Sequence, residues 1–238
     1  MALLELQQVD KAFGAIVVAK DLSFAIEDGA AVGIIGPNGA GKSTLFNLIT
    51  GNLTPSNGSI RFADEDITKR SAMHRCHMGV GRSFQVPQPF GKLTVLENLL
   101  VANCFGAEAA HFDANTCAKI LEQTELLDKA NTLAGSLSLL DRKRLELSRA
   151  MATRPRLLLL DEIAGGLTDA ECKSLIKTIR SLHASGVTII WIEHVLHALT
   201  AVVDRLLVLN FGEIIGDGAP SDVMASREVQ EIYLGLEA

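Results

Sequence analysis

The 238-residue sequence has no long uninterrupted apolar run, although 48% of its residues are hydrophobic. A membrane-spanning helix needs about 20 consecutive apolar residues, whereas the longest apolar segments here, 156–160 and 187–192, have the length of strands. We therefore predict no transmembrane helix and expect the apolar residues to fill an α/β core or to pack against a partner. The first 13 residues are acidic and polar where a signal peptide needs a basic start and an apolar run, so no signal peptide is predicted.

Long basic runs and clustered cysteines are also missing. Lysine and arginine total 22 against 28 aspartates and glutamates, which gives a net charge of −6 and little support for nucleic-acid binding. The four cysteines are widely separated, with no CxxC pair: Cys76, Cys104, Cys117 and Cys172. This pattern favours free thiols over disulfides or a metal site.

The first third of the chain has the apolar patterns of strands. Leu4–Val9 and Asp21–Ile26 alternate and predict an antiparallel pair joined by a turn at Gly14. Ala30–Ile35 is continuously apolar, as in a buried parallel strand, and a helix follows it and ends at Gly51. Asn57-Gly58 predicts a hairpin turn.

A helical pattern then replaces the strands between about residues 85 and 153. Thr94 and Glu97 form a capping-box sequence, and two further helices are predicted over Asp113 to about Lys129 and Ser138–Ala152. Strand patterns return at Leu157–Leu160, Val187–Ile192 and Leu206–Leu209. The fold class predicted is therefore α/β, a core of strands and helices interrupted by a helical insertion.

Residues 36–43, Gly-Pro-Asn-Gly-Ala-Gly-Lys-Ser, match the phosphate-binding pattern G-x-x-x-x-G-K-[ST]. The glycines allow successive backbone N–H groups to point at phosphates, and the helix N-terminus adds its dipole. Lys42 is placed to neutralise the β and γ phosphates, and Ser43 offers a hydroxyl to Mg²⁺. The segment lies between a predicted strand and a predicted helix, which makes a chance glycine turn a poor explanation. By itself it indicates only a nucleotide-phosphate binder.

Two acidic residues stand at the end of an apolar strand pattern, residues 157–160. Asp161 is expected at the carboxyl edge of the sheet, beside the phosphate loop, where it can hold Mg²⁺ directly or through water. Glu162 is placed to polarise the attacking water. Solvated acids at a strand end are the alternative, which the complete phosphate loop makes less attractive.

His194 and Gln85 are further candidates. His194 follows another apolar strand, and we expect it to hydrogen bond to the γ-phosphate, although a histidine after a strand is often only a polar loop residue. Gln85 leads from the core into the helical region, and its amide oxygen can reach the metal or the attacking water. Glutamines in loops are common, so the residue alone is weak evidence.

In this order, the motifs resemble those of ABC transporter ATP-binding subunits over nearly the whole chain. The resemblance implies a P-loop NTPase core with an antiparallel β subdomain, over residues 1–85 and 153–238, and an inserted helical subdomain with the signature motif, over residues 86–152. It also implies a head-to-tail dimer with ATP between one phosphate loop and the partner's signature. Glu162, His194 and Gln85 then correspond to the catalytic residues. The implied nucleotide-binding residues are Phe13, Asn38, Gly39, Ala40, Gly41, Lys42, Ser43, Thr44 and, in trans, Ser138.

Phe13 is assigned to adenine stacking by that resemblance, and a phenylalanine at a strand end that only packs in the core remains the alternative. The metal ligands implied are Ser43, Gln85 and Asp161. Residues 165–168 correspond to the D-loop, which communicates across the dimer.

A narrower similarity points to branched-chain amino acid importers. The segments Gly81–Pro87, Leu93–Asn98 and Val229–Gly235 look like those of their ATPases. Urea and short-amide importers share much of this sequence, including Gly165–Asp169. The importer type is therefore identified as one for hydrophobic amino acids, urea or amides.

Two positions depart from the family pattern. The signature LSGGQ is replaced by residues 137–141, Leu-Ser-Leu-Leu-Asp. Ser138 is retained and is predicted to cap a helix whose amides face the partner's γ-phosphate, whereas Leu140 and Asp141 stand where glycine and glutamine are usual. Ile163 replaces the proline that follows the catalytic glutamate, which loosens the turn. We interpret both as tolerated in an active subunit, with a weakened composite site as the rival interpretation.

The function predicted from these features is ATP hydrolysis coupled to uptake of branched-chain or related amino acids, with ATP and Mg²⁺ as cofactors. The partners expected are a second ATP-binding subunit, integral membrane permease subunits contacted around Pro87–Leu93, and indirectly a periplasmic or surface binding protein, with no nucleic acid. The expected location is the cytoplasmic face of the cell membrane. The alternatives are a urea or short-amide importer, and a soluble or regulatory ABC ATPase with weak hydrolysis.

Overall fold

A computed structural model describes residues 1–106 and 114–234, with side chains as far as Ile232. The chain forms two compact units, Met1–Ala72 with Ile190–Ala238, and Met73–Ile189. Asp113, the predicted start of a helix, and Gly235, the last residue of the C-terminal similarity, lie outside the described residues. The division into residues 1–85 with 153–238 and 86–152 stays a prediction.

The elements follow one another along the chain in three stretches. In the first unit they are β1 Ala2–Phe13, β2 Ile16–Glu27, β3 Ala31–Ile35, α1 Lys42–Thr50, β4 Asn57–Phe62 and β5 Glu65–Asp66. They continue with α2 Ala72–His77, β6 Val80–Arg82, α3 Val95–Cys104, α4 Ala114–Gln123, α5 Leu139–Ala152, β7 Leu157–Asp161, α6 Asp169–Ala184 and β8 Thr188–Ile192, which runs across the unit boundary. The last stretch contains α7 Leu196–Thr200, β9 Arg205–Asn210, β10 Glu213–Gly218, α8 Pro220–Ala225 and α9 Arg227–Leu234.

The first unit contains an antiparallel sheet in the order β2-β1-β4-β5. Phe13 pairs with Ile16 across the predicted turn, where Gly14 has a φ of 60°, so the first hairpin is confirmed. Both strands run further than the alternating segments that predict them, because backbone pairing continues through several register shifts.

The hairpin turn predicted at Asn57-Gly58 is wrong. These residues begin β4, where Asn57 pairs with Asp10 of β1. Gly58 has a φ of 81°, and a Cβ on it would lie 2.2 Å from the carbonyl oxygen of Gln8. Glycine is therefore needed for close approach to an irregular stretch of β1. The chain instead turns between β4 and β5 at Ala63 and Asp64, which both have positive φ.

A second set of strands in this unit leads to the phosphate loop. β3 is parallel to β9, with Ile35 opposite Val208, and β10 is antiparallel to β9. All five residues of β3 are buried, as the continuous apolar run predicts. The helix α1 follows and ends at Gly51 in the left-handed conformation, a common helix C-terminus.

The second unit contains five helices among its described residues and the parallel pair β6–β7. The capping box at the start of α3 and the Ser138 cap of α5 are both present as predicted. The predicted helix that ends near Lys129 is interrupted: α4 ends at Gln123, Glu125 has a φ of 56°, and a 3₁₀ turn covers Leu127–Lys129. Along residues 1–106 and 114–234, no helix combines the length and the apolar character needed to cross a bilayer.

Candidate functional site

The phosphate loop joins β3 to α1 through a backbone that needs glycine. Gly39 and Gly41 have φ values of 82° and 104°. A Cβ on Gly36 would lie 2.1 Å from the Leu209 carbonyl oxygen, and one on Gly41 would lie 2.6 Å from that of Val18. The neighbouring strands thus hold the loop tightly, and only glycine fits at these positions.

Lys42 lies at the start of α1 and is buried. Its ammonium donates hydrogen bonds to the carbonyl oxygens of Gly36, at 2.7 Å, and Pro37, at 3.0 Å. The cation is therefore held inside the curve of the loop, at the position predicted for a phosphate contact. Ser43 and Asn38 are exposed on the same loop and helix start, and Thr44 is half-buried.

His194 lies beside this loop. A cavity of about 220 Å³ is lined by Gly36, Pro37, Asn38, His194 and Ile232. The structure thus brings the predicted γ-phosphate contact to the phosphate loop. Sequence reasoning missed its neighbour Glu193, which is buried and accepts hydrogen bonds from the backbone amides of His194, at 2.9 Å, and Val195, at 3.3 Å. These bonds hold the backbone that carries His194.

Phe13 lies at the end of β1 and is 50% exposed. The Lys11 ammonium is 5.0 Å from the centre of its ring, a cation–π distance. A ring that only filled the core would be buried, so its exposure supports the predicted role as a stacking surface.

Asp161, the last residue of β7, is in the second unit. One of its carboxylate oxygens accepts a hydrogen bond from Arg82 Nη2 at 2.7 Å, and both side chains are only 10% exposed. Arg82 also lies over the ring of Phe84, at 5.1 Å. Arg82 was not among the predicted site residues; the only signal for it was its position three residues before Gln85.

Glu162 leaves β7 in a left-handed conformation, with a φ of 46°. This is unfavourable for a residue with a Cβ and is a frequent mark of functional positions. Gln85 Nε2 donates a hydrogen bond to Glu162 Oε2 at 2.5 Å, so two predicted catalytic residues are in contact. Ile163 and Ala164 are buried, which stabilises the turn where proline is missing.

The altered signature forms a closed set of polar contacts at the N-terminus of α5. Ser138 accepts a hydrogen bond from the Asp141 amide and donates one to Asp141 Oδ2, which also accepts from Lys129 Nζ at 2.7 Å. Burial opposes ionisation of Asp141, but hydrogen bonds from Lys129 and Ser138 outweigh it and lower the pKa of this carboxyl. Asp141 therefore packs into its own unit, and Lys129 compensates its charge.

The D-loop residues lie close to the signature. A Cβ on Gly166 would lie 3.6 Å from Leu139 Cδ2. Thr168 caps α6 and forms a full capping box with Glu171. Of the predicted site residues, Gln85, Asp161, Glu162 and Ser138 belong to this second unit, whereas Phe13, residues 38–44 and His194 belong to the first.

The comparisons agree with these features. The ABC transporter family profile matches residues 19–165. The branched-chain amino acid transport ATP-binding protein BraF of Pseudomonas aeruginosa is 34% identical, covering 98% of each chain, and LivG of Escherichia coli K12 is 34% identical over 94% of each.

Solved structures give the same result. A nucleotide-free ATP-binding cassette from an ABC transporter matches with a TM-score of 0.90 at 32% identity, over 99% of this chain and 100% of the other. A cassette bound to ADP and phosphate in a dimeric post-hydrolysis state matches with a TM-score of 0.81 over 91% and 98%; at 23% identity it supports the fold alone. The predicted fold class is confirmed, and the chain belongs to the ABC transporter ATP-binding family, whose cassettes hydrolyse ATP.

Proposed function

We propose that this chain is the ATP-hydrolysing subunit of an importer for branched-chain amino acids. The observation that carries the proposal is the phosphate loop between β3 and α1. Its glycine-rich backbone curves around the ammonium of Lys42, which is buried at the start of α1. The relatives, which are 34% identical over nearly their full length, are named as branched-chain amino acid transport proteins. They favour this function over a urea or short-amide importer and over a soluble regulatory ATPase.

Nucleotide binding is assigned to residues of the first unit. The amides of Asn38–Thr44 and the helix dipole of α1 surround the phosphates, and Lys42 neutralises them. His194, beside the same loop, donates to the γ-phosphate. Phe13 offers its exposed ring to the adenine.

Mg²⁺ is assigned to oxygen ligands. The Ser43 hydroxyl, the Asp161 carboxylate and the Gln85 amide oxygen are the hard donors that this ion prefers, so the donor set fits. When bound, Mg²⁺ neutralises charge on the β and γ phosphates. The contact between Arg82 and Asp161 holds this carboxylate in place.

Hydrolysis is assigned to Glu162. Its carboxylate orients a water and takes up its proton, while Gln85 fixes one carboxylate oxygen through the hydrogen bond at 2.5 Å. The left-handed backbone of Glu162 and the buried Ile163 keep this side chain in a defined position. Ser138 belongs to a second copy or a related subunit. As the N-terminal cap of α5, it presents the start of that helix to the γ-phosphate.

The partners proposed are integral permease subunits and, indirectly, a periplasmic or surface binding protein, with the cassettes on the cytoplasmic face of the membrane. The segment assigned to the permease contact, Pro87–Leu93, lies in an exposed apolar region with Phe84, Val86 and Phe90 each about half exposed or more. An exposed apolar patch of this kind is a typical protein contact surface.

Reconstitution tests the proposal. The complex with its permease subunits is placed in proteoliposomes with the binding protein and ATP, and uptake of labelled leucine and release of phosphate are measured together. Leucine-dependent hydrolysis with uptake supports the proposal, and loss of both in Lys42→Ala, but not in Lys119→Ala on the exposed face of α4, assigns them to this chain. Uptake of urea or short amides instead of leucine would contradict the substrate class.

A further inference from the structure

The turn between β9 and β10 consists of Phe211 and Gly212, and its backbone is unfavourable for the first of these residues. Both have positive φ, 43° and 80°, as in a type I′ hairpin turn, where asparagine, aspartate or glycine usually stands first. The ring of Phe211 is 83% exposed, so side-chain packing does not hold this residue in the left-handed conformation. Backbone contacts of the turn must therefore do so.

The first such contact joins the turn to the phosphate loop. The strand ladder pairs Asn210 with Glu213, and the amide of Gly212 between them bonds outside the hairpin. It donates to the carbonyl oxygen of Ala40 at 2.9 Å, and Ala40 is only 2% exposed. A buried carbonyl needs a donor, and Gly212 supplies it from outside the loop.

The second contact joins the turn to β2. The carbonyl of Gly212 accepts a hydrogen bond from the Lys20 amide at 2.9 Å. A Cβ on Gly212 would lie 2.8 Å from the Val18 carbonyl oxygen, the same atom that a Cβ on Gly41 would approach to 2.6 Å. The turn, the phosphate loop and β2 thus meet backbone to backbone, at a distance that requires glycine at position 212.

The bond to Ala40 fixes the direction of a phosphate-binding amide. The Ala40 carbonyl and the Gly41 amide belong to one planar trans peptide unit, so they point in opposite directions. A carbonyl held towards Gly212 therefore turns the Gly41 amide away from the turn and towards the inside of the loop, where successive amides bind phosphate.

We propose that Gly212 is a positioning residue for the phosphate loop: it holds the Ala40 carbonyl outward, and so aims the Gly41 amide at the nucleotide, while its own carbonyl is fixed by β2. This inference rests on the proposed function for the role of the loop in binding ATP. ATP affinity then depends on a residue that follows the loop far along the chain and carries no side chain.

Hydrogen exchange of the Gly212 amide, followed by NMR on the isotope-labelled full chain, tests the bond without any substitution. Protection is expected without nucleotide, because the amide is bonded although it lies at the tip of a hairpin. Mg-ADP should slow the exchange several-fold further, since the same peptide unit then carries a bond at each end. The amide of Gly29, in another turn with a φ of 78°, should not respond. Fast exchange at Gly212, or no response to Mg-ADP, would overturn the proposal.

Gly212→Ala tests the role in ATP binding. Its new Cβ would lie 2.8 Å from the Val18 carbonyl oxygen, so the turn must move and carry the amide away from Ala40. The control is Gly29→Ala, which places alanine at nearly the same φ in an exposed turn, with nothing within 4 Å of the Cβ. Isothermal titration should show ATP affinity about 10- to 100-fold lower in Gly212→Ala, the range for one hydrogen bond to a charged group, and unchanged in Gly29→Ala.

Steady-state hydrolysis by the assembled complex separates positioning from a general loss of structure. A misdirected loop amide weakens ATP binding, so KM should rise in Gly212→Ala, while kcat at saturating ATP stays close to that of the unmodified complex. A partly unfolded variant would instead show a lower kcat with an unchanged KM, and that result would overturn the proposal. The exchange experiment needs no variant, so it decides the proposal even if Gly212→Ala fails to fold.

Failure of the proposed function gives a different pattern. If the reconstituted complex binds ATP but takes up no leucine, the importer assignment fails and the affinity comparison still tests Gly212. If the unmodified chain binds ATP and Gly212→Ala behaves like Gly29→Ala, only the positioning role is overturned. An unmodified chain that binds no ATP would overturn both.

Discussion

Lys42 shows how the fold fixes a single cation in the phosphate loop. Its ammonium is buried and bonded to two carbonyl oxygens of its own loop, so little side-chain entropy remains to be lost on binding. Removing the Lys42 side chain should leave the glycine-rich backbone of the phosphate loop in place, because β2 and β9 pack against it.

We therefore expect Lys42→Ala to abolish most of the ATP affinity without unfolding the chain. Isothermal titration measures the affinity, and circular dichroism confirms the fold. Lys119→Ala, which removes an exposed lysine of α4, should bind as the unmodified chain does. Affinity near that of the unmodified chain in a folded Lys42→Ala variant would remove the phosphate-loop assignment.

Glu162 carries the second prediction. Glu162→Gln keeps an oxygen that Gln85 can still bond to but cannot take up a proton, so hydrolysis should fall by about 10²-fold or more while ATP still binds. The ATP-bound dimer should accumulate on size exclusion. Glu122→Gln is the matched control, and turnover of Glu162→Gln near the normal rate would show that another group acts as the base.

Glu146 gives a prediction for stability against pH. Burial raises the pKa of its carboxyl in the folded chain, although Arg149 and the amides of Gln88 and Phe84 oppose the shift. A carboxyl with a raised pKa stabilises the fold below its ordinary pKa, and this contribution is lost as the pH rises through the raised value. Glu146→Gln stays neutral, so its free energy of unfolding relative to the unmodified chain should increase as the pH rises above about 4.5. Urea titrations across this range would contradict the prediction if the difference were constant.

The sequence of the first turn of α5 leaves open whether Asp141 faces a partner's phosphate, and the packing of the helix answers this. Asp141 would repel an approaching phosphate if it faced the partner, but it is buried and bonded to Lys129 and Ser138. Lys129 lies in the 3₁₀ turn after α4, and no local sequence pattern predicts its contact with Asp141. The helix is therefore adapted to its altered signature.

Restoring the family residues should accordingly do harm. Leu140→Gly with Asp141→Gln introduces glycine into the first turn, at about 0.5–1 kcal/mol, and removes hydrogen bonds to a charged group, at about 1.5–3 kcal/mol. Lower unfolding free energy, less ATP-driven dimer and slower hydrolysis are expected, whereas Asp128→Asn on the neighbouring exposed turn should change none of them. A several-fold gain in dimer and turnover would show that the native signature is a weakened half-site.

Among the helices, strands and turns, local sequence patterns predicted those that are marked by characteristic residues of their own. β3, the hairpin at Gly14, the capping box of α3 and the Ser138 cap all follow from apolar runs, glycine and capping residues. The hairpin prediction at Asn57-Gly58 was wrong because Gly58 allows its strand to approach the backbone of Gln8, which is distant in sequence. The helix α6 was not predicted, although Thr168 and Glu171 form a capping box that signals its start.

The candidate site divides in the same way. The phosphate loop and the acids at the end of β7 were predicted from spacing, because backbone geometry imposes their residue types. Arg82 and Glu193 were not predicted, because the importance of Arg82 depends on a partner distant in sequence and that of Glu193 on its burial. Arg82, for instance, bonds to Asp161, which follows it by 79 residues. Such contacts are set by packing, which a single sequence does not display.

For the assembled molecule, the head-to-tail dimer implied by the family resemblance predicts complementation between two damaged subunits. Each composite site would take its phosphate loop from one copy and Ser138 from the other. Ser138→Ala removes the serine at an expected cost of about 1 kcal/mol as a helix cap, small against a typical stability of about 5–15 kcal/mol, so the variant should fold.

Lys42→Ala and Ser138→Ala each damage both sites of their own homodimer. In a mixed dimer both changes fall in one site, and the other site keeps an intact phosphate loop facing an intact Ser138. Mixing the two variants should therefore raise ATP hydrolysis several-fold above the average of the separate preparations, with a maximum near equal amounts. Mixing Lys42→Ala with Glu162→Gln is the control, since a base from the same chain as the phosphate loop leaves the second site of that dimer without Glu162. A rate equal to the average at every ratio would mean that each chain hydrolyses ATP with its own residues alone, or that the natural partner is a different subunit, and would contradict the shared site in a homodimer.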